Sequence, residues 1–242
     1  MASQKTYPTK RGDHYYIQDR KLPGVTSVLK MVVDKSGPLM GWALKLAHEY
    51  MVDNPGGSSE AMRGHVFGSR DKATNKGSTV HSFLEARTKV GGTLDTSGLP
   101  TEIRPYCEAA LQFEREHPHQ IKYNECIVAN FTYGYAGTVD RIATRMYAEG
   151  DDIGYENWLY DWKTGKGVYD EAHLQVTAYK HAEYIWIPTE KKLIPMPKID
   201  RVAIVHLRPT GKASLIPVDA DAESFEDFIA AKRWYDRMKR RG

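Results

Sequence analysis

The run from Gln120 to Thr164 constrains the fold most. It divides into three strand-like segments, "QIKYNECIVANF", "YAGTVDRIATRMY" and "YENWLYDWKT". A helical segment precedes it, "EIRPYCEAALQFEREH", which stacks Tyr106, Ala110 and Phe113 on one side and stops at Pro118. Another follows, "YDEAHLQVTAYKHAEYIW", and then a strand "DRVAIVHLRP" and a shorter one, "ASLIPVD". Helix, three strands, helix, strand implies an α/β chain with a central mixed sheet flanked by helices. "DAESFEDFIAAKRWYDRMKRR" closes it as an amphipathic helix with Phe225, Phe228, Tyr235 and Met238 facing inward.

The N-terminal third is less regular. "HYYIQDRKLPGVTSVLKMV" reads as a strand or hairpin turning at Pro23-Gly24, with a helix starting at Thr26 or Ser27. "GPLMGWALKLAHEYMV" places Leu39, Trp42, Leu46 and Tyr50 close to helical spacing. "DNPGGSSEAMRGHVFGSRDKATNKGS" is rich in Gly, Ser, Asn and charge, and is expected to be an exposed, mobile connection. From Ser78 a helix should carry His81 and Glu85 one turn apart, followed by the turn-rich "GGTLDTSGLP". We expect a single domain over 1–242, divided into a helical and loop region (1–75), a core (76–218) and a C-terminal helix (219–242).

Composition excludes several classes. No apolar run approaches the ~20 residues that span a bilayer, and the N-terminus lacks the apolar middle of a secretory signal, so a cytoplasmic protein without a membrane partner is expected. Cys107 and Cys126 are too few for a disulfide framework, a four-cysteine zinc site or a four-cysteine iron–sulfur cluster, and are expected to be buried thiols. The net charge of +3 is too small to argue for a polyanionic partner by itself. Its distribution matters more: Arg63, Arg70, Lys72, Lys76, Lys163, Lys166, Lys180 and the C-terminal "KRWYDRMKRR" offer local cations, each of which also reads as solvated surface.

Alternation along "NWLYDWKT" puts Trp158, Tyr160 and Trp162 on one face, expected to be the core, and Leu159, Asp161 and Lys163 on the other. A hairpin centred on Gly150-Asp151 with no bulge sets Asp140 of "GTVDRIA" directly across from Asp161. Carboxylates so opposed have β-carbons roughly 5 Å apart and destabilise a sheet unless a cation lies between them. Lys163 supplies one charge; a divalent metal held by both carboxylates would supply more, and hard oxygen ligands suit Mg²⁺ or Mn²⁺ better than zinc. The alternative is structural, each aspartate pairing with Arg141 or Lys163. Gln175 and Tyr179, four apart, share a helix face.

In this order, "GTVDRIA", "YDWKTGK" and "LQVTAY" resemble the PD-(D/E)XK nucleases, in particular the RecB-like exonuclease branch found in phages and recombination systems. The likeness is close from Ser78 to Tyr184 and looser over "VTSVLK" and "GWALKLA". It implies a restriction-endonuclease-like core, Mg²⁺ or Mn²⁺ as cofactor, and DNA as partner, with a recombination or replication protein as a further one. By the same resemblance Asp140 and Asp161 are metal-binding carboxylates, and Lys163 orients or activates water and offsets charge on the scissile phosphate. "TVHSFLE" makes His81 a metal ligand, and the backbone carbonyl of Trp162 is a further candidate. Gln175 and Tyr179 match a motif that shapes the site and contacts DNA, and Glu125 in "NECIV" matches a frequent acidic position. Some relatives carry a four-cysteine iron–sulfur cluster, for which this chain lacks the ligands. The expectation is a metal-dependent DNA exonuclease. A structure-specific endonuclease, a non-catalytic DNA-binding module and a metal-free domain held by salt bridges are the competing readings.

Overall fold

A computed structural model describes residues 7–33, 36–90, 95–150 and 152–241. Three short strands come first: β1 (Thr9–Arg11), β2 (His14–Ile17) and β3 (Arg20–Pro23), joined as an antiparallel sheet. The hairpin between β2 and β3 turns at Gln18 and Asp19, both at positive φ, and not at Pro23-Gly24. Asx-type residues tolerate that left-handed backbone, whereas Gly24 caps helix α1 (Val25–Val32), which starts one residue before Thr26.

Helix α2 (Ser36–Asp53) follows, and then α3 (Ser59–Val90), a continuous 32-residue helix that contains the helix expected from Ser78 and replaces the exposed loop expected before it. Its start is chemically specified: Ser58 Oγ accepts from the Ala61 amide at 3.1 Å, and Glu60 lies in the first turn, favourable at the positive end of the helix dipole. No proline interrupts it. Val80, Phe83 and Leu84 anchor its second half in the core, and once a helix is nucleated each added residue costs little, so the glycine-bearing first half propagates outward with its surface largely in water. On α2, Trp42, Leu46 and Tyr50 are partly buried but Leu39 is exposed.

Helix α4 (Arg104–Glu116) has Pro105 in its first turn and buries Tyr106, Ala110 and Phe113 on one face. The long strands β4 (Gln120–Asn130), β5 (Tyr135–Glu149) and β6 (Asp152–Lys163) succeed it, then α5 (Asp170–Lys180), β7 (Tyr184–Ile187), β8 (Lys192–Pro195), β9 (Arg201–Leu207), β10 (Ala213–Pro217) and α6 (Ala222–Lys239). The sequence reading ran α5 through "AEYIW" and had no β8; both short segments pair at the sheet edge, a tertiary choice over local helical spacing. On α6, Phe225, Phe228 and Tyr235 are buried, but Met238 is exposed.

The chain is an α/β protein whose seven-stranded mixed sheet has the order β10-β9-β6-β5-β4-β7-β8, with β6 and β9 parallel and the other neighbours antiparallel. Both faces are covered. α1, α5 and α6 pack on one through Val28, Val176, Phe228 and Leu159; α3 and α4 pack on the other through Leu84, Phe113, Tyr160 and Trp162. The aromatic face of β6 is therefore one of two cores, not the only one. Among the described residues no helix is long and apolar enough to cross a membrane, and Cys107 and Cys126 are buried free thiols.

Within the α3/α4 core lies a fully buried guanidinium. Arg141 Nη1 donates to Glu114 Oε1 at 2.6 Å and its Nε to Asn124 at 3.2 Å, while its guanidinium lies 5.0 Å from the Trp162 ring centre. Arg87 Nε holds the other Glu114 oxygen, also at 2.6 Å. Arg141 thus pairs with Glu114, not with either site aspartate. Burial raises the Glu114 pKa, but the two arginines outweigh it and leave it below the ordinary carboxylate value. The lowered folded-state pKa makes this stabilisation present above the unfolded value, near 4.5, and lost as pH falls through the folded one. We expect Arg141→Ala to lower urea-unfolding stability by ~3–5 kcal/mol at neutral pH. Glu114→Gln should flatten the fall in stability on acidification, measured by the same titration down to about pH 3.

Candidate metal and phosphodiester site

The β5–β6 hairpin sets the first elements of the site. Pairing runs without a shift from Glu149↔Asp152 to Arg141↔Tyr160, around a turn containing Gly150 at φ 62°; Asp151 lies outside the described residues. One further step in that register puts Asp140 across from Asp161. The Trp162 amide donates to Asp140 Oδ2 at 2.7 Å, fixing that carboxylate against the neighbouring strand. Both aspartates are buried, 7% and 1% exposed, which requires that their charge be answered within the protein.

The answers come from two helices and from β6 itself. From α3, His81 Nδ1 approaches Asp140 Oδ1 at 3.4 Å and Glu125 Oε1 at 3.3 Å. His81, Glu125 and Asp140 each offer one ligand atom, all within 4.8 Å of one another. From α5, Gln175 Nε2 donates to Asp161 Oδ1 at 3.1 Å and to Tyr179 Oη at 3.0 Å, while Gln175 Oε1 accepts from Lys163 Nζ at 3.2 Å. Lys163 Nζ lies 2.5 Å from Asp161 Oδ2. Asp161, Lys163, Gln175 and Tyr179 form one connected network, and the spacing of four on α5 is what lets one amide bridge the others. The salt-bridge alternative therefore describes Asp161 with Lys163, but not Asp140.

Charge in this pocket is strongly coupled. Burial opposes the protonated imidazole of His81, yet the carboxylates of Asp140 and Glu125 outweigh it and raise its pKa to about 10. Burial likewise opposes the Lys163 ammonium, but Asp161 and Asp140 prevail and hold it above the ordinary lysine range. Asp161 moves up, chiefly through burial, with Lys163 opposing and Asp140 adding to the shift.

Two backbone features make room for this arrangement. Glu125 sits inside β4 at φ 48°, a left-handed conformation that costs a non-glycine residue ~1–2 kcal/mol. Such strain clusters where a side chain must be re-aimed, and here the carboxylate reaches His81. Gly137, opposite Val128 in the β4–β5 ladder, has the edge of the Tyr179 ring against it; any β-carbon would collide with that ring. The residue pattern "NECIV" carries no sign of the first feature. The glycine in "YAGTVD" was the available signal for the second.

The donor set fits a hard divalent cation. Two carboxylates and an imidazole converge, and Asp161, across the ladder from Asp140, has in Oδ2 a buried oxygen with no aligned hydrogen-bond donor, although Lys163 is close enough to pair with it by charge. Asp161 stands beside the His81–Glu125–Asp140 group and not within it, and Glu125 is within it. At Trp162 the amide donates to Asp140, and the buried ring lies under Arg141 and edge-on to Phe113. An open cleft of about 400 Å³ along Gly77, Ser78 and Ser82 leads to His81 and Glu125. Of the local cations that also read as solvated surface, Arg63, Arg70, Lys72 and Lys76 lie on α3. Arg70 pairs with Asp71 at 3.3 Å and Lys76 donates to Tyr106 at 3.2 Å.

The chain matches no protein-family model, and no curated protein is significantly similar to it. What can be said of its activity therefore rests on this geometry.

Mn²⁺ titrated calorimetrically should bind the wild type, with affinity lowered by at least ~tenfold in His81→Ala and Asp140→Ala. Glu125→Ala and Glu125→Gly should both weaken binding, but the glycine variant, relieved of the left-handed strain, should unfold at higher urea by the equivalent of ~1 kcal/mol. Gly137→Ala should disturb the near-ultraviolet signal of Tyr179 while leaving the far-ultraviolet spectrum in place.

Proposed function

We propose that this protein is a metal-dependent deoxyribonuclease of the PD-(D/E)XK type, hydrolysing phosphodiester bonds from DNA ends in replication, recombination or repair. The observation that supports it is the convergence of His81, Glu125 and Asp140 within 4.8 Å, next to an Asp161–Lys163 pair fixed by Gln175. Histidine, carboxylates and lysine together are what hydrolysis of a phosphodiester asks for: a place for a hard cation, and a fixed positive charge beside it.

A divalent ion held by His81, Glu125 and Asp140, with Asp161 adjacent, would supply Lewis acidity toward a phosphate oxygen and a more acidic bound water. The protein's own groups do the rest. Lys163 places an ammonium beside Asp161, able to donate to a phosphate oxygen or to align the attacking water. Gln175 holds both partners of that pair and Tyr179 holds Gln175, so the lysine meets the substrate already oriented. The Trp162 amide keeps Asp140 from turning away. Gln175 and Tyr179 act in this reading as positioning residues, Tyr179 being almost wholly buried.

End-labelled linear duplex, closed circular duplex and single-stranded DNA, each incubated with Mg²⁺, test the proposal. Linear molecules should be degraded and closed circles spared, and Lys163→Ala should lower the rate by ~10²-fold or more. Cutting of circles as fast as linear molecules would replace the exonuclease with an endonuclease on the same core. Binding of DNA without hydrolysis in any divalent metal would favour a non-catalytic module.

A further inference from the structure

A second cavity, of about 300 Å³, shares no lining residue with the His81 cleft. α1 contributes Thr26, Leu29 and Lys30 to its wall; the segment after β6 and the start of α5 contribute Val168, Tyr169 and Ala172. Lys163 and Gln175 form its inner end, so the cavity and the candidate site share two side chains. Leu29 and Ala172 are buried, and the lining between the two lysines is mainly apolar.

Tyr169 is the unusual member. It precedes α5, its ring is 60% exposed, and that ring lies over Gly167 with no aromatic or cationic partner among the described residues. A large aromatic left in water beside an apolar cavity is available to cover a flat apolar ligand. At the rim Lys30 is exposed, and Glu171 also lines the cavity. The volume is at the small end of ligand pockets, enough for one nucleoside and too little for a polymer segment.

Resting on the nuclease reading, we propose that this cavity binds the base of the nucleotide next to the scissile phosphate, with Tyr169 stacked on it, Leu29 and Ala172 beneath it and Lys30 toward its outer phosphate. Lys163 belongs to both compartments: it meets the phosphate on one side and bounds the base pocket on the other, so a nucleotide seated here has its phosphodiester at the hydrolytic groups. Recognition is by shape and stacking, as the lining has few hydrogen-bonding groups to read base edges, and the pocket accepts any of the four bases.

Isothermal titration of the full chain with dAMP and with 2-deoxyribose 5-phosphate, without divalent metal so that nothing turns over, reads the pocket directly. Expected is binding of dAMP at least ~tenfold tighter than the baseless sugar phosphate, with that advantage lost in Tyr169→Ala, which removes the stack, and in Thr26→Trp, which fills the cavity. Both changes are at exposed side chains, so folding is preserved. Equal affinities for the two ligands, an advantage unchanged in both variants, or no dAMP binding at all would each overturn the proposal. Since binding is read without hydrolysis, loss of the pocket leaves the nuclease assignment standing, and an inactive protein that still prefers dAMP keeps the pocket while losing the assignment.

Discussion

Two carboxylates shut inside a sheet must be compensated, and most of the local structure follows from how that is done. Asp140 and Asp161 are almost inaccessible, and water cannot screen them there as it screens surface charge. α3 supplies an imidazole to one, and β6 itself supplies an ammonium to the other. α5 supplies the amide that keeps the second pair aligned. The strain at Glu125 and the bare backbone at Gly137 are local costs of bringing a third carboxylate and a buried tyrosine ring close enough to take part. A group built this way is stable enough to persist, yet it concentrates negative charge that a hard cation can share.

The alternation of side chains along β5 separates a buried ion pair from the candidate site. Arg141, next to Asp140 in sequence, turns to the α3/α4 side and is matched by Glu114 and Trp162. That pair, with its guanidinium fully buried, contributes to holding β5 against α4. Adjacent residues of one strand thus serve two different cores, which is possible because helices cover both faces of the sheet.

The central architecture was legible because its signals are periodic and local. Alternation in "NWLYDWKT" and the turn near Gly150 predicted the register that places Asp140 opposite Asp161, and the spacing of Gln175 and Tyr179 placed them on one face of α5. The second half of α3, from Ser78, was legible but its first half was not: glycine, serine and asparagine between Asp53 and Ser78 read as a loop, whereas packing of Val80, Phe83 and Leu84 and the Ser58 cap sustain a helix through them. β7 and β8 were missed because strands this short take their conformation from the neighbour they pair with. The turn of Glu125 toward His81 depends on a left-handed residue inside a strand, which no residue pattern announces. Lys163 was identified, but its attachment to Gln175 needed coordinates.

The account stands or falls on where a cation sits. Crystals soaked in Mn²⁺ and measured at the manganese absorption edge would locate it without reference to activity. An anomalous peak roughly 2.1 Å from a His81 nitrogen and from carboxylate oxygens of Glu125 and Asp140 is the predicted result. A peak elsewhere on the protein, or none at this group at millimolar Mn²⁺, would contradict it.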